Sequence, residues 1–179
     1  MLQNKKEKIL ELQTRKKIYE FVKKFSGCHF REIERRSAIP HGTLKYHLNF
    51  LTKHELLISK KENNSLRYFP IEFKTENIEL LSLLRQNTAR KIILFVLENE
   101  NSSQEEIANF VNLSPSTVSW HLKKLSTNKI LSSMRDGRKI IYKLTADKNE
   151  IIKLLITYQE SFFDSLVNNM PSSSAKQNV

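Results

Sequence analysis

The chain has 179 residues, with 30 Lys/Arg against 19 Asp/Glu, a net charge of +11 and a pI near 9.7. That length allows one domain or two small ones, and the charge points to a polyanionic partner, either nucleic acid or an acidic membrane surface. A single cysteine, Cys28, excludes an internal disulfide and any sensor built on thiolate pairs, and the longest apolar runs, such as Ile92–Leu97, are too short to span a bilayer.

Lys8–Lys24 reads as a helix, with Ile9, Leu12, Ile18, Phe21 and Val22, and Phe25 just beyond, at near-helical spacing and a break expected near Thr14. Phe30–Ser37 reads as a short second helix buried on Phe30 and Ile33. Pro40-His41-Gly42 reads as a turn, and Thr43–Lys53 as a third helix with Leu44, Leu48 and Leu51 inward. Ile58–Lys61 and Leu66–Phe69 follow as strands around the polar turn Glu62-Asn63-Asn64-Ser65.

Thr75 is the expected N-cap of a helix over Glu76–Arg85, and Thr88–Glu98 forms the next. Ser103–Val111 reads as a helix with Ile107 and Phe110 inward; Ser103 with Glu106 three residues on is a capping-box pattern. Ser114-Pro115 puts an N-cap residue before a proline at the first helical position, where the missing N–H costs nothing. The helix Pro115–Ser126 buries Val118, Leu122 and Leu125. Leu131–Arg135 and Lys139–Leu144 make a hairpin, because Asp136-Gly137 tolerates the positive φ angles of a tight turn. Residues 147–170 read as an amphipathic helix carrying Ile151, Ile152, Leu154, Leu155, Tyr158, Phe162, Phe163, Leu166 and Val167. That much apolar surface must pack on the second unit or on another subunit, so Ile151, Leu155, Tyr158 and Phe162 are expected to contribute to a homodimer. The composition of residues 171–179 is that of a disordered tail.

The two halves are one unit written twice. An offset of 74 residues superposes Thr43-Leu44-Lys45-Tyr46-His47-Leu48 on Thr117-Val118-Ser119-Trp120-His121-Leu122. The same offset carries Thr14 onto Thr88, Ile18 onto Ile92, Glu32-Ile33 onto Glu106-Ile107, Leu57 onto Leu131 and Tyr68 onto Tyr142. A supersecondary unit repeated at fixed period settles the fold first. Three helices and a hairpin, twice, give a mainly α protein with small β wings (α+β). The expected parts are a winged helix-turn-helix domain at 1–74, a second at 75–146, the C-terminal helix at 147–170 and the tail at 171–179.

A helix-turn-helix lays its last helix in the major groove, which demands one apolar docking face and one polar face toward base edges. In the first unit Thr43, Lys45, Tyr46 and Asn49 lie outside, with His47 at the boundary. In the second, Ser116, Thr117, Ser119, Trp120, Lys123 and Lys124 lie outside, with His121 at the boundary. Ser and Thr can serve any base edge, Lys can contact guanine or phosphate, and a thymine methyl can pack on an aromatic ring. For Tyr46 and Trp120, packing against a wing or the other unit is the competing account. Both histidines fit backbone or phosphate hydrogen bonding better than base readout or metal binding. The wings carry Lys60, Lys61 and Arg67 in the first unit and Arg135, Arg138, Lys139 and Lys143 in the second, a pattern suited to clamping phosphates. Residues 1–74 hold 17 Lys/Arg against 8 Asp/Glu, and 75–179 hold 13 against 11, so the first unit should supply most of the non-specific attraction.

Catalytic and metal motifs are missing from the sequence: three glycines make no phosphate loop, and there is no HExxH or CxxC. No catalytic residue, cofactor, metal or small-molecule ligand is expected. The N-terminus lacks the apolar core of a signal peptide, which fits a cytoplasmic protein. The run Ser114 to Leu125 with Asp136 to Thr145, and Gly27 to Ile33 with Ile39 to Leu48, resemble the two halves of archaeal transcriptional regulators with tandem winged helix-turn-helix domains, of arsenic-repressor and MarR-like type. The resemblance covers about residues 14–167 and implies sequence-specific binding of double-stranded DNA and transcriptional control. The first wing departs from it, carrying Glu62-Asn63-Asn64-Ser65 where a Gly-containing basic tip is expected. A protein-interaction scaffold and an RNA-binding protein are the alternative readings; the basic recognition helices and wings favour DNA.

Overall fold

The computed structural model describes residues 2–62, 65–160 and 162, apart from the side chains of residues 2–5 and 76. The expected tail at 171–179, and Phe163, Leu166 and Val167 of the expected C-terminal helix, lie outside the described residues.

The first unit runs α1 (Leu2–Leu10), α2 (Gln13–Lys24), β1 (Cys28–His29), α3 (Phe30–Ser37), α4 (His41–Lys53), β2 (Leu57–Glu62) and β3 (Ser65–Pro70). The second runs α5 (Thr75–Leu84), α6 (Asn87–Glu98), β4 (Ser102–Ser103), α7 (Gln104–Val111), α8 (Pro115–Thr127), β5 (Leu131–Asp136) and β6 (Lys139–Leu144), followed by α9 (Lys148–Thr157). Each wing is antiparallel and gains a short third strand, in the orders β1-β3-β2 and β4-β6-β5. Two-residue strands leave no period-2 signature, so β1 and β4 were invisible to pattern reading. The residues with positive φ repeat at the same 74-residue offset: Gly27 and Asn101, Ala38 and Asn112, Glu55 and Lys129. The repeat therefore extends to backbone conformations that non-glycine residues rarely adopt.

Local chemistry explains most boundaries. Ser103 and Glu106 form the expected capping box on α7, and the Ser114 side chain accepts from the Thr117 N–H ahead of Pro115 on α8. Three expectations are corrected. His41 and Gly42 belong to the first turn of α4, with Pro40 in the N-cap position and its carbonyl accepting from the Leu44 N–H at 2.9 Å. Lys74 rather than Thr75 precedes α5, since the Lys74 carbonyl already accepts from Asn77. Phe110 is exposed: α7 buries Ile107, Ala108 and Val111, which turns Phe110 outward to stack on Phe95 with ring centroids 4.5 Å apart.

There are two apolar cores, and the first wing stands between them. Leu57 and Tyr68 join the first core, with Ile18, Ile33, Leu44, Leu48 and Leu51. Phe69, with Ile58 against it, joins the second, with Leu81, Ile92, Val118, Leu122 and Leu125. The strand pairings Ser59↔Tyr68 and Ile58↔Phe69 alternate between faces, so one face of the hairpin serves each unit. Gly27 (φ +78°) lies in this joint, where a Cβ would come 3.0 Å from Arg85 Cδ and 3.1 Å from Phe69 Cε1. Helix α9 packs back on its own chain. Ile151, Leu154 and Phe162 are buried in the second core, Leu155 and Tyr158 lie against it, and Ile152 and Ile156 stay exposed. Ile151 and Phe162 thus have an intramolecular role in place of the expected dimer contact.

Candidate nucleic-acid interface

Helices α4 and α8 present matched outer faces. On α4, Leu44, Leu48 and Leu51 are buried, leaving Thr43, Lys45, Tyr46 and Asn49 exposed. On α8, Val118, Leu122 and Leu125 are buried, leaving Ser116, Thr117, Ser119, Trp120 and Lys123 exposed. Tyr46 and Trp120 are each 57% exposed, so neither ring is consumed by packing on a wing or on the other unit. A large ring left wet at the same position of both units calls for a reason outside the fold.

The neighbouring histidines hold these rings. His47 meets Tyr46 edge-on at 5.0 Å, and His121 meets Trp120 at 4.8 Å. His47 is buried, not at the edge of the helix face, and His121 is half-buried. The Nδ1 atoms of both are buried without a hydrogen-bond partner among the described residues. Burial pushes both imidazoles below their ordinary pKa, helped by Arg15 at His47 and by Lys124 at His121. Both shifts favour the neutral imidazole. At the head of α8 the Ser114 hydroxyl lies 3.1 Å from that of Ser116 and 2.9 Å from that of Thr117, a polar cluster of hydroxyls able to donate or accept.

The two wings differ. In the second, Arg135, Arg138, Lys139 and Lys143 are all exposed around Gly137 (φ +58°). In the first, Lys61 alone among the expected cations is exposed and without an ion pair among the described residues. Lys60 pairs with Glu79 of α5. Arg67 is 5% exposed; its Nε donates to Glu62, and its Nη1 donates to the Gly27 carbonyl at 2.8 Å. Burial lowers the Arg67 pKa, with Glu62 opposing, and the side chain acts as a strut within the joint, not as a phosphate clamp. Lys124 is also engaged: its Nζ donates to Gln86 Oε1 at 2.9 Å and lies 3.9 Å from Glu62 Oε1.

The polar set missed by sequence reasoning is therefore Glu32, Glu62, Arg85 and Gln86. Arg85 donates to Glu32 and, at 3.2 Å, to the Ser26 carbonyl, while Gln86 Nε2 donates to Glu62. The one signal for it was the acidic residue at the tip of the first wing. Among the described residues no group of His, Cys, Asp and Glu is placed to hold a metal ion, and no helix is long and apolar enough to cross a membrane.

A family model described as an N-terminal HTH domain matches residues 12–81, and one described as winged helix-turn-helix DNA-binding matches 85–131. An uncharacterized HTH-type transcriptional regulator of Methanocaldococcus jannaschii is 36% identical over 136 residues, which is 76% of this chain and 34% of the relative. The chain thus spans about a third of that relative's length. Among solved structures, NolR from Sinorhizobium fredii is 28% identical, with a TM-score of 0.41 over 48% of this chain and 82% of its own. HlyU from Vibrio cholerae is 19% identical, with a TM-score of 0.41 over 48% of this chain and 90% of its own.

Proposed function

We propose that this tandem winged helix-turn-helix protein is a transcriptional regulator that binds double-stranded DNA, reading sequence with the N-terminal halves of α4 and α8 and holding the backbone with the second wing. The observation that carries the reading is the matched pair of outer faces, each with an aromatic ring 57% exposed among hydroxyls, amides and lysines. In this reading Thr43, Tyr46, Asn49, Ser116, Thr117, Ser119 and Trp120 face bases. Lys45, Lys61, Lys123, Arg135, Arg138, Lys139 and Lys143 face phosphates. A cytoplasmic location goes with the role.

The test is binding of a labelled duplex across salt concentration. If about five to seven phosphates are neutralised, affinity falls roughly 500- to 6,000-fold between about 50 and 200 mM salt. A flat response overturns the reading, and preferential displacement by duplex RNA over DNA would reassign the surface. Self-association through the C-terminal helix belongs to the same proposal, using the edge that intramolecular packing leaves free, Ile152 and Ile156. Sedimentation of Ile152→Asp with Ile156→Asp should give monomer where the parent chain gives dimer; a monomeric parent removes this part.

A further inference from the structure

The tip of the first wing reaches the reading face of the second unit through an unbroken polar chain. Arg67, anchored on the Gly27 carbonyl, fixes one oxygen of the Glu62 carboxylate. The other oxygen accepts from Gln86 Nε2, and Gln86 Oε1 accepts from Lys124 Nζ at 2.9 Å. The chain has one polarity only: a carboxylate can only accept and an ammonium can only donate, so the Gln86 amide is oriented between them. Lys124 lies one helical turn after Trp120, and its Nζ stands 5.3 Å from the indole centroid.

The first unit braces its own ring differently. The position matching Lys124 is Phe50, whose ring lies 6.3 Å from Tyr46 and is covered on another side by Arg15 at 3.8 Å. That brace is made wholly within the first unit. The brace of Trp120 is a flexible lysine whose placement depends on a carboxylate from the other unit.

We propose that Glu62, acting through Gln86 and Lys124, is a positioning residue for Trp120, so that the first unit's wing sets the sequence discrimination of the second unit's recognition helix. This rests on the reading of α8 as a base reader. Once the carboxylate is removed, the amide keeps only its 3.2 Å bond to the Ser82 carbonyl, the ammonium loses the carboxylate 3.9 Å away, and the indole loses a fixed neighbour on one face.

Trp120 is the only tryptophan, so its fluorescence reports the indole directly in the full-length protein without any DNA. Acrylamide quenching and anisotropy decay of Trp120 should be measured for Glu62→Gln, Gln86→Ala and Lys124→Met. The same variants are then tested for binding to a duplex selected by the parent protein from a random-sequence pool, and to a scrambled duplex. All three should show a more mobile, more quenchable indole and a specific-to-scrambled affinity ratio about tenfold lower. Glu79→Gln, which cuts the other ion pair of the same wing, should change neither. Unchanged indole motion and an unchanged ratio in Gln86→Ala and Glu62→Gln overturn the link; if Ser119→Ala still lowers the ratio, α8 remains a base reader. A ratio unmoved by Ser119→Ala sinks the reading of α8 itself, and the proposal with it. Should Glu62→Gln lose its fold with the partner of Arg67, Gln86→Ala decides, since it leaves that pair in place.

Discussion

Phe69→Ala tests whether the first wing is the joint between the units. Phe69 is fully buried, sits in the second core 5.3 Å from the Phe73 ring, and is backed by the first unit at Gly27. Removing the ring deletes its transfer free energy and leaves a cavity between a paired strand and a helical core, neither of which can collapse into it. Such changes cost about 3–5 kcal/mol, a large part of the roughly 5–15 kcal/mol that holds a domain folded. At about 2–4 °C per kcal/mol for a chain of this size, the melting temperature falls by about 10 °C. Because the ring links a strand of one unit to the core of the other, the loss should also uncouple them. Calorimetry of the parent protein is expected to show one transition and that of the variant two, with the first unit's helices and the second's followed separately by hydrogen exchange. A loss under about 1 kcal/mol with a single transition kept would refute the shared-wing account.

The other predictions follow from the unequal wings and the buried histidines. Arg138→Ala should weaken binding to all duplexes alike and lower the salt slope by about 1. Arg67→Ala should leave the slope unchanged and cost about 1–3 kcal/mol of stability, since it removes a charged hydrogen bond and leaves the Gly27 carbonyl without its donor, while Glu62 keeps Gln86 and Lys124; the opposite pattern would return Arg67 to the DNA surface. His29, His47 and His121 all have folded pKa values lowered mainly by burial. With an unfolded value near 6.5, the unfolded chain takes up protons first as pH falls, so their contribution is complete above about pH 6.5 and is lost below it. Thermal melts between about pH 7.5 and 5 should show that decline, and His47→Gln should make it shallower; a flat profile contradicts the burial argument.

Most of the fold was legible because its signals are periodic: leucines at helical spacing, alternation along the wings, and a 74-residue offset that checks each element against its copy. The outer faces of α4 and α8 were legible for the same reason, since subtracting Leu44, Leu48 and Leu51 or Val118, Leu122 and Leu125 leaves the exposed set. Partners across the joint were not legible. A basic residue in a wing reads as a phosphate ligand whether it faces solvent, as Arg138 does, or a carboxylate from the next strand, as Arg67 does. Local sequence cannot tell these apart, because the difference lies in which face of the hairpin meets a neighbour. Phe110 misled similarly: its spacing from Ile107 fits a buried stripe, but α7 is short and buries a narrower one.

The joint changes what tandem repetition means for binding. Two readers on a flexible linker adapt to variable spacing, and the second binding event is favoured only by the effective concentration that the linker allows. Here Phe69, the Gln86–Glu62 hydrogen bond and the Arg85–Glu32 pair hold one unit on the other, so in the proposed reading the second helix does not have to search once the first is seated. The same rigidity removes tolerance: a duplex whose two segments are out of register must bend, or one helix must lose its contacts, and bending even a short site costs on the order of 1–6 kcal/mol. Several cations of the first half are engaged and not open to a duplex: Lys6, Lys60 and Arg67 are held by Glu72, Glu79 and Glu62, and Arg85 pairs with Glu32. Arg85 comes from the second half, so the joint draws charge from both. In the proposed reading the exposed cations of the second wing, Arg135, Arg138, Lys139 and Lys143, carry the backbone contacts that the engaged cations of the first wing do not supply.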